Sequence, residues 1–176
     1  MTIFKSFPLT TYEFNSQESV VKDILIRSKF VSEYRPYSDI LTPYSILDGD
    51  TPQSLAKTLY GAATFHWIIL LSNEIHDPYF EWPISSLDLE NLCINKYGSE
   101  VMNMTRHHER DGLVVGEIKV FLKGIPWIPP VSVGESFAVS FYDYEERIND
   151  SKREIGLLRP ELLTEFTKQF KDSLNV

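Results

Sequence analysis

YSILDGDTPQSLAKTLYGAATFHWIILLSNEIHDPYFEWP, residues 44–83, holds the densest local signals in the chain. Tyr44 and Ile46 open it as a short strand, and Asp48-Gly49-Asp50 turns the backbone. Thr51 is suited to cap a helix, and Pro52 follows at the first helical position, where a missing N–H costs nothing. Leu55, Ala56, Leu59 and Tyr60 share one face over two turns, and Gly61 ends the helix in a left-handed conformation. Thr64 is placed to cap a second helix. Residues 65–71 are apolar apart from His66, so that helix should be buried on most sides. Residues 73–83 then read as a loop and a short strand, with Asp77-Pro78 as the breaker and Trp82-Pro83 at the end. The prediction is two antiparallel strands flanking two helices, with Leu55, Leu59, Trp67, Ile68 and Leu71 mostly buried.

Working outward, Ser86 opens a third helix with Leu87, Leu89, Leu92 and Ile94 as its apolar face and Gly98 as its end. Asp111-Gly112 marks a β-hairpin between residues 101–109 and 113–122. Residues 136–144 alternate as a strand, and residues 145–159 read as a polar linker. Pro160 starts a terminal helix with a narrow stripe of Leu163, Phe166, Phe170 and Leu174; Lys168 and Lys171 suit its negative end. Toward the N-terminus, Val20, Val21, Ile24 and Leu25 fit a helix, whereas Ile24, Ile26 and Phe30 fit a strand. Tyr34, Pro36, Tyr37, Pro43 and Tyr44 read as an ordered extended arm. The fold class is α+β, in four segments: an N-terminal segment and arm (1–43), the strand–helix–helix–strand module (44–85), a helix and hairpin region (86–145), and a linker with its helix (146–176).

The 176 residues include 11 Phe, 9 Tyr and 3 Trp, with a net charge of -8. An acidic chain without clustered Lys and Arg is a poor match for nucleic acid or for an anionic membrane. Its longest apolar run, residues 67–71, is far too short to span a bilayer. The single cysteine, Cys93, excludes an intrachain disulfide and reads as a buried thiol. The N-terminus carries no apolar stretch of the secretory kind, so the expected site of synthesis and retention is the cytoplasm.

Candidate chemistry is sparse. Gly49 and Gly61 serve backbone geometry, Asp50 and Thr51 serve capping, and His66 reads as a core histidine bonded to a carbonyl. His107 and His108 are neighbours on a strand and point to opposite faces; His107 and Glu109 share a face, but two ligands are not a metal site. Asp143, Glu145 and Glu146 read as a solvated strand end. No catalytic triad or phosphate loop can be assembled, so no cofactor, metal or enzymatic activity is expected.

Gly49-Asp50-Thr51, Leu55-Ala56, Tyr60-Gly61, residues 67–71, and Asn73 with Asp77-Pro78 resemble the LysM pattern. The fuller set of Gly49-Asp50-Thr51-Pro52, Tyr60-Gly61, His66-Trp67, Asn73, Asp77-Pro78-Tyr79 and Trp82-Pro83 resembles the baseplate wedge family of contractile-tailed, T4-like bacteriophages, in which a LysM-like module is embedded. Residues 149–155 and 157–160 resemble that family's closing segment. The resemblance implies a structural virion protein, assembled in the host cytoplasm, that joins neighbouring wedges into a ring around the hub. Its implied partners are other wedge proteins, the sheath initiator and hub proteins. The alternative is a peptidoglycan-binding module. A single copy, Pro52 in place of the more usual Leu, and a mouth crowded by Tyr79, Phe80 and Trp82 favour protein contact over glycan. Tyr79, Phe80, Leu163, Phe166 and Phe170 are the expected interface residues.

Overall fold

The computed structural model describes residues 3–24 and 40–174. Leu25, Ile26, Phe30, Tyr34, Pro36 and Tyr37 lie outside the described residues. The fold is α+β, in two compact units: Met1–Trp82 with Glu154–Val176, and Pro83–Arg153.

The first unit begins with a hairpin of β1 (Leu9–Phe14) and β2 (Gln17–Lys22). Val20 and Val21 are therefore in a strand, and the helical reading of that stretch is set aside. β3 (Leu41–Ser45) leads to α1 (Pro52–Tyr60), whose start is a reciprocal capping box. Ser54 N–H donates to Thr51 Oγ1 at 3.0 Å, and Thr51 N–H donates to Ser54 Oγ at 2.9 Å. Gly61 closes α1 at φ 79°, its N–H donating to Lys57 O, as the left-handed cap requires. Leu55, Ala56 and Tyr60 are buried, while Leu59 is half-buried.

The second helix enters through a 3-10 turn, Ala63–Phe65, so Thr64 lies inside that turn and does not cap the helix. α2 (His66–Ser72) buries Ile68 and Ile69 completely. Burying one such side chain contributes about 1.5–3 kcal/mol. Trp67 and Leu71 are half-buried.

The closing strand is not where residues 73–83 were expected to supply it. Asp77-Pro78 starts a helical turn, α3 (Pro78–Glu81), with Asp77 Oδ1 accepting from Tyr79 N–H at 3.0 Å. An Asp-Pro pair is an N-cap followed by a first-turn proline, and here that role prevails over breaking the chain. The antiparallel partner of β3 is β7 (Glu154–Leu158), paired from Leu41↔Leu158 to Ser45↔Glu154. The chain leaves this unit after Trp82 and returns at Glu154. Ile155, Leu157 and Leu158 of β7 are buried, and Tyr60 OH donates to Leu158 O at 2.9 Å. Burial pushes the Tyr60 phenol up to about 12. The predicted polar linker over 145–159 is thus overturned: it contains the end of a helix and a core strand.

A 3-10 turn, Pro160–Leu162, leads into α6 (Leu163–Ser173). Its stripe packs on its own unit. Trp67 lies 6.2 Å from Phe166 and 4.6 Å from Phe170 by ring centroids, and Phe7 joins Phe170 and Leu174 in a small core.

The second unit pairs α4 (Ser86–Tyr97) with α5 (Phe141–Asp150) and a sheet ordered β5-β4-β6. Ser85, not Ser86, caps α4, and Leu89 and Cys93 form its buried face; Leu87 is 68% exposed. β4 (Thr105–Arg110) and β5 (Leu113–Val115) meet at the Asp111-Gly112 turn, and β6 (Phe137–Ser140) flanks β4. The predicted strand over 136–144 stops at Ser140, because Ser140 and Asp143 form a second capping box and start α5. Tyr97, Phe121, Trp127 and Phe141 cluster, with Tyr97 and Trp127 centroids 4.5 and 4.9 Å from Phe141.

Candidate protein-interaction surface

The turn before α1 is built around Asp50. Gly49 at φ 89° lets the backbone reverse, and Asp50 Oδ2 then accepts from Tyr44 OH at 2.7 Å and from Leu47 N–H at 3.0 Å. The carboxylate so close to it raises the Tyr44 phenol above its ordinary range. Asp50 O accepts from Trp82 Nε1 at 2.9 Å, and Trp82 is buried in the same core as Leu55 and Ile68. The indole therefore closes the mouth between the 47–51 turn and the segment after α2. A ring held this way offers no face for stacking on a sugar.

Just beyond, α3 carries two rings outward. Tyr79 is 90% exposed and Phe80 is 76% exposed. Their platform is fixed at both ends. Glu81 Oε2 accepts from His76 N–H at 2.6 Å and from Asp77 N–H at 3.3 Å, and Trp82 is locked as described. Pro83 is buried at the start of the second unit. Leu163 and Phe166 are half-buried and Phe170 is buried on their own unit. Without a polar linker to give it reach, the helix meets its own core first.

His66, half-buried, pairs through Nδ1 with Ala63 O at 2.9 Å. His107 is buried, its Nε2 bonded to Glu109 Oε1 at 2.7 Å. Glu109 also accepts from Arg147 Nη1 at 2.6 Å, and these two partners hold its carboxyl below the usual range. His108 points the other way, with Nε2 3.3 Å from Pro130 O. Among the described residues, no cluster of three or more His, Cys, Asp or Glu could hold a metal ion. Glu145 is not on a solvated strand end but on α5, partly buried, bonded to Lys96 Nζ at 2.7 Å and to Tyr97 OH. Asp143 caps its own helix. Cys93 is buried, and burial pushes its thiol up.

The most extensive candidate surface was not read from the sequence. Between Val115 and Phe137 the chain has no helix or strand. Arg110 ties it down by donating to Val133 O and Glu135 O, and Trp127 Nε1 donates to Thr105 O. Several of its aliphatic side chains nevertheless face solvent: Ile118, Val120, Ile128 and Val131, with Phe137 at its end, are each more than 70% exposed. An irregular segment of this length in a small domain is unusual and commonly functional, and an apolar strip of this kind marks a binding site. The density of Val and Ile on either side of Pro126, Pro129 and Pro130 was the available signal.

No helix among the described residues is long and apolar enough to cross a membrane. A family model described as base plate wedge protein 53 matches residues 20–113, just over half of the chain. Baseplate wedge protein gp53 of Enterobacteria phage T4 is 33% identical over 57 residues, covering 32% of this chain and 29% of that protein. The alignment thus spans under a third of the relative's own length.

Proposed function

The chain belongs to the base plate wedge protein 53 family, a structural family of the phage tail baseplate, and from that premise we propose that it joins neighbouring wedges into the ring around the hub by protein–protein contact. The exposed apolar strip between Val115 and Phe137 carries the reading. Such a strip is costly to leave in water and gains by being covered. The Tyr79 and Phe80 pair supports it, since rings on a rigid platform lose little entropy on docking. Other wedge proteins, the sheath initiator and hub proteins are the partners, met in the host cytoplasm, and the chain turns nothing over.

The LysM-like reading belongs to the same proposal. It is supported by the succession of β3, α1 and α2 and by the pairing of β3 with β7, with Gly49, Asp50 and Thr51 at the turn and Tyr60-Gly61 at the stop. In this reading the module serves as a rigid body and not as a glycan receptor.

The experiment is wedge joining with Ile118→Ser, Val120→Ser and Ile128→Ser combined in the full chain. All three side chains are exposed, so the fold, followed by circular dichroism, is expected to survive while ring closure falls. Normal ring closure would refute the proposed surface.

A further inference from the structure

Residues 117–122, EIKVFL, are rich in the β-branched and aromatic side chains that strands favour, yet no sheet among the described residues includes them. They run without turn or bend between Gly116 and the turn at Lys123-Gly124, with both glycines at positive φ, 83° and 87°. Lys119 and Phe121 turn inward. Lys119 Nζ donates to Ile128 O at 3.2 Å, and the Phe121 ring packs with Tyr97, Trp127 and Phe141. Ile118, Val120 and Leu122 alternate with them and face solvent, at 78%, 79% and 57% exposure.

The chain turns back where Ile125 N–H donates to Leu122 O at 3.1 Å, but the return arm, residues 126–133, is unfit to supply a ladder. Pro126, Pro129 and Pro130 have no N–H to donate. Among the described residues, no hydrogen bond reaches the backbone N–H or O of residues 117–121. A straight segment with one face fixed and its backbone groups unpaired is a template for a strand from another molecule.

The order of its side chains says which strand fits. Laid antiparallel on a second copy of itself about Val120, the segment sets Ile118 opposite Leu122, Val120 opposite Val120, and Glu117 opposite Lys123. Lys119 falls opposite Phe121 on the inner face. Residues directly opposite share a face, so the aliphatic side chains meet on the solvent side and an ion pair forms at each end. Sliding the strands by two residues either way brings Lys119 opposite Lys119 or Lys123, so like charges reject those registers. Glu117 and Lys123 have the capacity for the new pair. Glu117 meets Lys119 through one oxygen at 3.2 Å with 61% of its side chain exposed, and Lys123 donates to Asn95 O at 3.3 Å. A second carboxylate oxygen and further ammonium N–H groups are left over.

We propose that in the free chain residues 117–123 pair antiparallel with the same residues of a second copy, about a two-fold axis at Val120. A two-fold contact closes on itself, so its product is a dimer and not a filament. The pairing covers the aliphatic strip before assembly and goes beyond wedge joining.

The test is charge exchange in the full chain, read by sedimentation. The unaltered chain is expected to form dimers and nothing larger. Glu117→Lys or Lys123→Glu makes both end pairs like-charged and should weaken dimerisation at least about tenfold. The two substitutions combined restore opposite charges and should dimerise as the unaltered chain does. So should an equimolar mixture of the two single variants. Val120→Cys sets a thiol on the axis beside its own copy, while Cys93 stays buried. Mild oxidation should link it into dimers at least about tenfold faster than Ile128→Cys, which is similarly exposed but off the axis. A monomeric unaltered chain, a charge exchange that does not recover dimerisation, or equal cross-linking of the two cysteine variants overturns the proposal.

Discussion

Asn73 and Gly156, 83 residues apart, pair like neighbouring strands: the Asn73 amide donates to Gly156 O at 2.9 Å and accepts from Gly156 N–H at 2.8 Å. Gly156 lies across the ladder from Pro43, and its N–H and O point away from β3, where this side chain is their partner. A Cβ at Gly156 would fall 2.9 Å from Leu41 Cδ1 and 3.1 Å from Leu41 Cβ, so a larger residue forces the Leu41 side chain to shift. The second unit repeats the device, with Asn149 bonded to both the N–H and the O of Ile84. Each asparagine holds together segments that are distant in sequence.

Asn73→Ala is expected to destabilise the first unit by about 2–4 kcal/mol, because two partly buried backbone groups lose their partners. Urea unfolding of the full chain measures it. A change within about 0.5 kcal/mol, the size of an ordinary surface substitution, would contradict it.

Phe170→Ala removes a buried ring from contact with Trp67 and Phe7. The expected loss is about 3–5 kcal/mol, as for other large-to-small core changes. A helix that docks on a partner instead would leave the isolated chain's melting unaltered.

Acid should weaken the second unit. Burial raises the Glu145 carboxyl, but hydrogen bonds from Lys96 and Tyr97 outweigh it and hold the group below its ordinary range. His107 and Arg147 do the same to Glu109. A carboxyl depressed on folding stabilises fully above its unfolded pKa of about 4.3, and that stability is lost as pH falls through the folded value. Glu145→Gln should flatten the acid limb of stability against pH; an unchanged slope would count against it.

Soluble muropeptides titrated by calorimetry should show no binding, since Trp82 is buried and bonded to Asp50 O. Micromolar binding lost on Tyr79→Ala would favour the glycan-receptor alternative.

What was legible in the sequence was local. Thr51, Pro52 and Gly61 each act on the helix turn beside them, and the α1 boundaries follow from them. β7 was not legible, because Glu154-Ile-Gly-Leu-Leu is too short to display a period and its partners, β3 and Asn73, lie far away in the chain. Asp77-Pro78 misled for a related reason: the same pair breaks one element and starts the next. The ring crowding at Tyr79 and Phe80 is visible in a linear string, and the fold leaves both rings exposed. The strip before Phe137 was not, since exposure depends on what the fold leaves uncovered.

Wedges purified without this chain, mixed with and without it and viewed by electron microscopy, address the structural role most directly. Closed rings should form only when the chain is present, in proportion to the amount added. Rings that close equally well in its absence would contradict the role assigned here.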